Sequence, residues 1–107
     1  MPCPVYSATK AALDALTKTM AVEFGKHKVR VVSFNPALIE TPMGSTLMPK
    51  TEEERAGMTA LAANRFPLGD YLMPMDQVVN CILFLGSGIA GLMTGSGMIL
   101  DGGLCAT

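Results

Sequence analysis

Apolar side chains recur at the helical period near the start of the chain. At about 100° per residue, Leu13, Leu16 and Phe24 fall on one helix face. The pattern predicts an amphipathic helix over residues 5–24, which Gly25 ends, as glycine commonly does at a helix C-terminus.

A different pattern follows this helix. Residues 29–34 form a short, mostly apolar and β-branched run, which is typical of a parallel strand covered on both faces. Asn35-Pro36 is expected to end that strand. A last short strand is expected at residues 98–100, and Asp101-Gly102-Gly103 is expected to form a turn after it.

Two more helices are predicted between the strands. Thr51 and Glu54 match a capping box that opens a helix toward Arg65. Residues 75–85 are predicted to form a further helix, with an acidic residue in its first turn. Thr41-Pro42 resembles an N-cap followed by proline at the first helical position.

The order helix, strand, helices, strand predicts the α/β class, with a parallel sheet whose strands are joined by helices. Half of the 107 residues are hydrophobic and 16% are charged, against about 25% charged in an average soluble domain. Two strands cannot make a free-standing parallel sheet, because such a sheet needs both faces covered. The chain is therefore expected to be part of a larger domain.

Charge and cysteine content exclude several functions. The net charge is -1 and the charged residues are scattered, so neither nucleic acid nor an anionic membrane surface is an expected partner. One histidine and three widely spaced cysteines predict no metal site and no disulfide framework. The first residues lack the pattern of a secretory signal, and a reducing, cytoplasmic location is expected.

Tyr6 and Lys10 are the candidate catalytic pair. Residues four apart are neighbours on a helix surface, and a nearby ammonium favours the ionised form of a phenol. Such a tyrosine can exchange a proton near neutral pH, as the reduction of a carbonyl requires. Helical phase places both toward the apolar face, which is expected to be buried. The spacing alone also fits an ordinary helix pair.

Four stretches, taken together, resemble the short-chain dehydrogenase/reductase family. Residues 6–13 resemble its catalytic helix, and residues 29–36 resemble the strand before its nicotinamide loop. Residues 64–69 resemble the segment that closes its substrate lid, and residues 94–103 resemble its terminal strand and turn. Within the family, the similarity is greatest to the L-xylulose reductase and tetrameric carbonyl reductase branch.

The resemblance implies a Rossmann-like, doubly wound parallel sheet and an NAD(P)H-dependent reductase of ketones or aldehydes, with NADP favoured over NAD. It implies that Tyr6 is the proton donor and that Lys10 supports it and binds the nicotinamide ribose. It also implies that the loop after the strand contacts the cofactor, with Ile39 pairing the carboxamide through its backbone and Thr41 reaching a phosphate. The implied cofactor-binding residues are Lys10, Pro36, Ala37, Ile39 and Thr41.

The chain departs from the family pattern at two implied pocket positions. Ala37 stands where the family often has glycine, and Cys3 stands where L-xylulose reductases tend to carry histidine. The family's catalytic serine precedes its tyrosine by about a dozen residues, and no such position exists here. Residues 1–107 are therefore expected to be the carboxyl-terminal part of one such domain, without its first βαβ half.

Three alternatives accompany this interpretation. The chain could be catalytically inactive and join full-length subunits, since the resemblance implies that its helices form a homotetramer interface. Residues 77–100 carry no charge and could in principle anchor a membrane protein, although five glycines and the lack of flanking basic residues argue against it. Residues 86–91 match the dinucleotide fingerprint G-x-G-x-x-G, but the glycine-rich sequence after them does not suit a helix.

Overall fold

A computed structural model describes residues 3–39, 41–42, 48–69 and 72–106. The helices whose bounds lie within these residues are α1 (Pro4–Gly25), α2 (Glu52–Arg65) and α3 (Met75–Gly86). Its strands are β1 (Ser33–Pro36), β2 (Leu38–Ile39), β3 (Leu72–Met73) and β4 (Gly97–Leu100). Two short 3-10 helices lie at Gly88–Ala90 and Leu104–Ala106. The mixture of helices and parallel strand pairs confirms the predicted α/β class.

The chain divides into two compact units. The first unit consists of Met1–Phe34 and Ile82–Met98, and the second unit consists of Asn35–Cys81 and Ile99–Thr107. Each has few buried side chains. The buried apolar residues are Ala21, Leu85 and Ala90 in the first unit, and Ala62, Met73 and Val78 in the second.

Helix α1 begins and ends within one residue of the predicted bounds. Pro4 occupies the first turn, where its missing N–H costs no hydrogen bond, and Cys3 is the N-cap. Gly25 is the last helical residue, so the predicted end of the helix is confirmed. Lys28, three residues further on, has a left-handed φ of 60°, and its N–H donates to the Gly25 carbonyl over 3.0 Å.

Strand β1 lies later in the chain than its apolar run predicts. It pairs with β4 and includes Asn35-Pro36, which was expected to end it. Before β1, the Val31 carbonyl accepts the Gly95 N–H over 2.8 Å, so this segment is held by isolated bonds and not by a regular ladder. The bounds of β1 are therefore set by its register with β4. The apolar pattern of a single segment does not contain that register.

The strands β2 and β3 form a second, parallel pair with Leu38 opposite Leu72 and Ile39 opposite Met73. The sequence did not predict this pair. Two-residue strands show no measurable alternation, and their partners lie far apart in sequence.

The capping box of α2 is confirmed. The Thr51 hydroxyl accepts the Glu54 N–H over 3.2 Å, and the Glu54 carboxylate accepts the Thr51 N–H over 3.3 Å. Both bonds satisfy N–H groups that have no partner inside the helix, so the helix starts at the predicted residue and reaches Arg65.

Residues 77–100 contain most of α3, a short 3-10 helix and β4. Among the described residues, no helix is long and apolar enough to cross a membrane. The fingerprint-like residues 86–91 lie at the end of α3 and in the 3-10 helix, and β4 is the next regular element. The rejection of the fingerprint is therefore confirmed.

Candidate active site

Tyr6 and Lys10 lie one turn apart on α1, as the spacing predicts. Tyr6 is in the first turn of the helix, and Lys10 Nζ lies 5.4 Å from the centroid of the Tyr6 ring. A cation within about 6 Å of an aromatic ring is attracted to the ring electrons. The structure therefore brings this pair together through local helix geometry alone.

The expectation that this pair faces a buried surface is wrong. The Tyr6 side chain is 58% exposed, and Lys10 is exposed as well. Leu13 and Leu16, on the apolar face of α1, are 50% and 49% exposed. Helical phase predicts which residues share a face, but burial also requires another element to cover that face, and in the described residues Tyr6, Lys10, Leu13 and Leu16 stay exposed while Ala21, further along the helix, is buried.

The Lys10 ammonium is available to bind a further group. Within residues 3–39, 41–42, 48–69 and 72–106, no carboxylate forms an ion pair with it. Cys3 lies at the N-cap of the same helix, where its carbonyl accepts the Ser7 N–H over 2.9 Å and its thiol is exposed. A predicted pocket residue and the predicted acid thus belong to the same helix end.

The predicted cofactor loop belongs to the second unit. Pro36 ends β1, Ile39 ends β2, and Thr41 directly precedes Pro42, which is helical. The Ala37 N–H donates to the Leu100 carbonyl over 2.9 Å, which fixes the start of the loop against the end of β4. The N–H of Ala37 is therefore engaged within the protein and is not a free donor for a ligand.

The sequence did not predict the hydrogen bond at the end of β4. Asp101-Gly102-Gly103 was predicted only as a turn, and nothing indicated that the carbonyl of Leu100, the residue before it, accepts the Ala37 N–H. The only signal for this contact is the apolar run 98–100 that pairs as a strand, and it does not identify the partner.

A shallow groove of about 380 Å³ lies in the second unit. None of its lining residues is a predicted site residue. They are Met48, Pro49, Glu54, Gly57, Met58 and Leu61. The groove is open and mostly apolar, and it offers no pair of groups suited to proton transfer.

Comparison with known proteins decides the family. Residues 2–105 match the sequence profile of the family described as Enoyl-(Acyl carrier protein) reductase. The chain belongs to the short-chain dehydrogenase/reductase family. Because the match covers nearly the whole chain, the resemblance inferred from the four stretches is confirmed.

Relatives of this short-chain dehydrogenase/reductase chain include L-xylulose reductase of Mus musculus, 45% identical over 103 residues that make up 96% of this chain and 40% of the relative. A short-chain type dehydrogenase/reductase from Mycobacterium marinum has a TM-score of 0.77 at 35% identity, covering 95% of this chain and 37% of that one. A 4-hydroxyisoleucine dehydrogenase complexed with NADH has a TM-score of 0.75 at 35% identity, and the match covers 95% of this chain and 38% of that one. The chain thus spans about 40% of the length of its curated relatives.

Lys10 and the segment after β1 carry groups that suit a nicotinamide nucleotide. The exposed Lys10 ammonium offers three donors to sugar hydroxyls, and its attraction to the Tyr6 ring keeps it beside the phenol. The segment that follows β1 begins at the carboxyl end of that strand, and open α/β sheets bind ligands at the carboxyl ends of their strands.

Proposed function

We propose that this chain is the carboxyl-terminal part of an NAD(P)H-dependent carbonyl reductase of the L-xylulose reductase type. The observation that carries the proposal is the approach of Lys10 Nζ to the Tyr6 ring, 5.4 Å from its centroid, in a chain of this oxidoreductase family. In this proposal, the first βαβ half of the domain and the catalytic serine belong to a longer enzyme.

Tyr6 is the proton donor in the proposed reaction. The nicotinamide, when bound, supplies hydride to the carbonyl carbon, and the carbonyl oxygen must gain a proton at the same time. The Tyr6 hydroxyl donates that proton and becomes a phenolate, which the Lys10 ammonium stabilises by its charge. In the oxidation of an alcohol, the phenolate accepts the proton.

Lys10 and the loop after β1 hold the cofactor in this proposal. Lys10 donates to the ribose hydroxyls of the nicotinamide nucleotide, and the Ile39 backbone pairs its carboxamide. Thr41, directly before a helical residue, lies in a position suited to a phosphate. Pro36 and Ala37 would contact the nicotinamide without donating a backbone hydrogen bond, since proline has no N–H and that of Ala37 is engaged by Leu100.

The substrate is a small carbonyl compound or the matching alcohol, and Cys3 and Ala37 belong to its pocket. The relationship to L-xylulose reductase supports a sugar-like ketone, and the NADH-bound relative supports a nicotinamide cofactor. We assign NADP as the preferred cofactor, as the L-xylulose reductase resemblance favours. The same resemblance supports a homotetramer of the longer enzyme and a cytoplasmic location.

Substitution of Tyr6 in the longer enzyme tests the mechanism. Tyr6→Phe removes one oxygen atom, so we expect cofactor affinity to stay within about twofold while kcat falls by roughly 10²- to 10⁴-fold, the usual contribution of a general acid. Steady-state rates and nicotinamide fluorescence titration measure the two quantities. Retention of kcat would remove Tyr6 from the reaction.

Lys10→Ala tests the second member of the pair. We expect it to weaken cofactor binding and to lower kcat, because the ammonium serves both. Lys18→Ala is the matched control, since Lys18 is exposed two turns further along the same helix. Equal behaviour of the two lysine variants would mean that Tyr6 and Lys10 are an ordinary helix pair.

A second candidate function is association of the 107-residue chain with full-length subunits, without catalysis of its own. Large apolar side chains on two helices support it, with Val5 78% and Leu83 65% exposed. Exposed apolar surface of this kind is typical of an interaction site. Size-exclusion chromatography with and without the longer enzyme tests this candidate: co-elution is expected, and a stable monomer that never co-elutes contradicts it.

A further inference from the structure

The turn after β4 is held by one carboxylate. Asp101 accepts the N–H of Gly103 over 2.9 Å and that of Cys105 over 2.8 Å. Gly102 and Gly103 have φ of 62° and 91°, a conformation that side-chain-bearing residues adopt only with strain. The two glycines make the turn possible, and the carboxylate holds it in place.

The turn also contacts the segment that follows α2. The Gly102 carbonyl accepts the Leu68 N–H over 3.2 Å. Gly103 packs against the Pro67 ring so closely that an added Cβ would lie 2.9 Å from the proline Cδ and Cγ. A methyl group there would force the two segments apart. The backbone of the turn and the segment at 67–68 therefore form one packed cluster.

The same turn begins at the residue that anchors the loop after β1. The Leu100 carbonyl accepts the Ala37 N–H over 2.9 Å, and the same carbonyl belongs to the peptide bond between Leu100 and Asp101. The direction of the Leu100 carbonyl depends on the peptide plane that it shares with the Asp101 N–H. A change in the backbone conformation of Asp101 would therefore turn the carbonyl that holds Ala37.

We propose that Asp101 is a positioning residue for the start of the cofactor loop, at Pro36 and Ala37. Its carboxylate fixes the turn, the turn fixes the Leu100 carbonyl, and that carbonyl holds Ala37 at the start of the loop. The inference rests on the proposed function, because it assigns the purpose of the turn to the orientation of the nicotinamide. Asp101 itself contacts neither cofactor nor substrate in this proposal.

Loss of the carboxylate should act on cofactor orientation more than on folding. Without it, the Gly103 and Cys105 N–H groups lose their partners, and two glycines with wide conformational freedom no longer keep one shape. The Ala37 anchor then loosens, and a small misplacement of the reacting atoms lowers the rate of hydride transfer by up to about 10²-fold.

The experiment compares Asp101→Asn with Asp76→Asn in the longer enzyme. Asparagine keeps one acceptor oxygen and suits turns, so the variant should fold with part of the turn intact. Asp76 lies in the first turn of α3, is exposed, and loses a similar charge at a helix end. Reduced-nicotinamide fluorescence measures binding, and kcat and KM for the cofactor measure orientation.

We expect Asp101→Asn to raise KM for the cofactor and to lower kcat, together by roughly 10-fold in kcat/KM, with a changed fluorescence of the bound nicotinamide. Asp76→Asn should leave both unchanged. Gly103→Ala keeps the carboxylate but displaces Pro67, and should reproduce the loss. Equal kinetics and fluorescence for Asp101→Asn, Asp76→Asn and the unaltered enzyme overturn the inference.

Failure of the inference and failure of the proposed function give different results. An enzyme that binds no nicotinamide nucleotide, or that keeps its kcat in Tyr6→Phe, contradicts the proposed function and this inference with it. An enzyme that binds the cofactor, requires Tyr6 and tolerates Asp101→Asn contradicts only the role of Asp101.

Discussion

The guanidinium of Arg30 donates to the Leu85 carbonyl over 2.7 Å, which ties the segment before β1 to the last turn of α3. The same group donates to the Ser87 carbonyl over 3.1 Å and to the Met93 carbonyl over 3.4 Å. The last carbonyls of a helix have no partner inside it, and a cation there also interacts favourably with the helix dipole. Arg30 thus closes the end of α3 and fixes the loop that follows.

Replacement of Arg30 should destabilise the first unit. Arg30→Ala leaves three partly buried carbonyls without a charged donor, and we expect a loss of roughly 2–3 kcal/mol in the free energy of unfolding. Arg30→Lys should recover part of it, because one ammonium cannot reach three carbonyls as the planar fork does. Urea unfolding measures both. The control Arg55→Ala, on the exposed face of α2, should change stability by less than about 0.5 kcal/mol.

Two glycines should respond in opposite directions to alanine. Gly95 has φ 69°, and a Cβ placed there would lie 3.3 Å from the Ala21 Cβ, so Gly95→Ala should cost roughly 1–2 kcal/mol. Gly57 is inside α2 with nothing within 4 Å of an added Cβ, so Gly57→Ala should stabilise by about 0.5–1 kcal/mol. Thermal midpoints of the two variants test the pair. A shift in the same direction would contradict the assigned backbone conformations.

Asp101 should make stability depend on pH in the acid range. Hydrogen bonds from the backbone of Cys105, and then from its side chain and the backbone of Gly103, lower the pKa of the Asp101 carboxyl below its ordinary value of 3.8. A group with a lower pKa in the folded state stabilises the fold above the unfolded value and loses that effect as pH falls through the folded one. The stability difference between the wild type and Asp101→Asn should therefore be constant near neutral pH and shrink below about pH 4.

That pH dependence is measured by urea unfolding of both proteins from about pH 7 down to about pH 2.5. A difference that stays constant over the whole range would mean that the carboxylate makes no preferential hydrogen bonds in the folded protein.

The thiol of Cys105 should react slowly while Asp101 is ionised. A hydrogen bond to the Asp101 carboxylate, together with burial and the negative charge, raises the pKa of the Cys105 thiol above its ordinary value of 9.0. Less thiolate is then present at a given pH, and the thiolate is the reactive form. We expect Asp101→Asn to speed the alkylation of Cys105 by iodoacetamide near pH 8. Mass spectrometry follows the site, and Cys3 in the same protein serves as the internal reference.

The sequence predicts those elements whose signals are local. Both α1 and α3 follow from the apolar period, and α2 starts at a capping box whose two hydrogen bonds are complete within four residues. By contrast, β2 and β3 pair residues 38–39 with residues 72–73, and Arg30 reaches carbonyls 55 to 63 residues away. These contacts depend on tertiary packing, which periodicity does not encode.

In the candidate site too, the local contacts could be predicted from the sequence and the distant ones could not. The approach of Lys10 to Tyr6 could be predicted, because residues four apart on a helix are neighbours whatever surrounds them. The exposure of that pair could not, since burial is decided by the elements that cover a helix. The hydrogen bond from the Ala37 N–H to the Leu100 carbonyl could not be predicted either, because it depends on which strand lies beside β1.

The buried part of helix α1 lies far from Tyr6. Its one buried residue is Ala21, whereas Tyr6 lies in the first turn, fifteen positions and about 22 Å away along the helix axis. Thermal motion in such a helix grows with distance from the anchored part, because local stability follows buried contacts. In the proposed reaction, the phenol would therefore gain its final orientation from the molecules that bind beside it, so that occupancy and competence for proton transfer would arise in the same event.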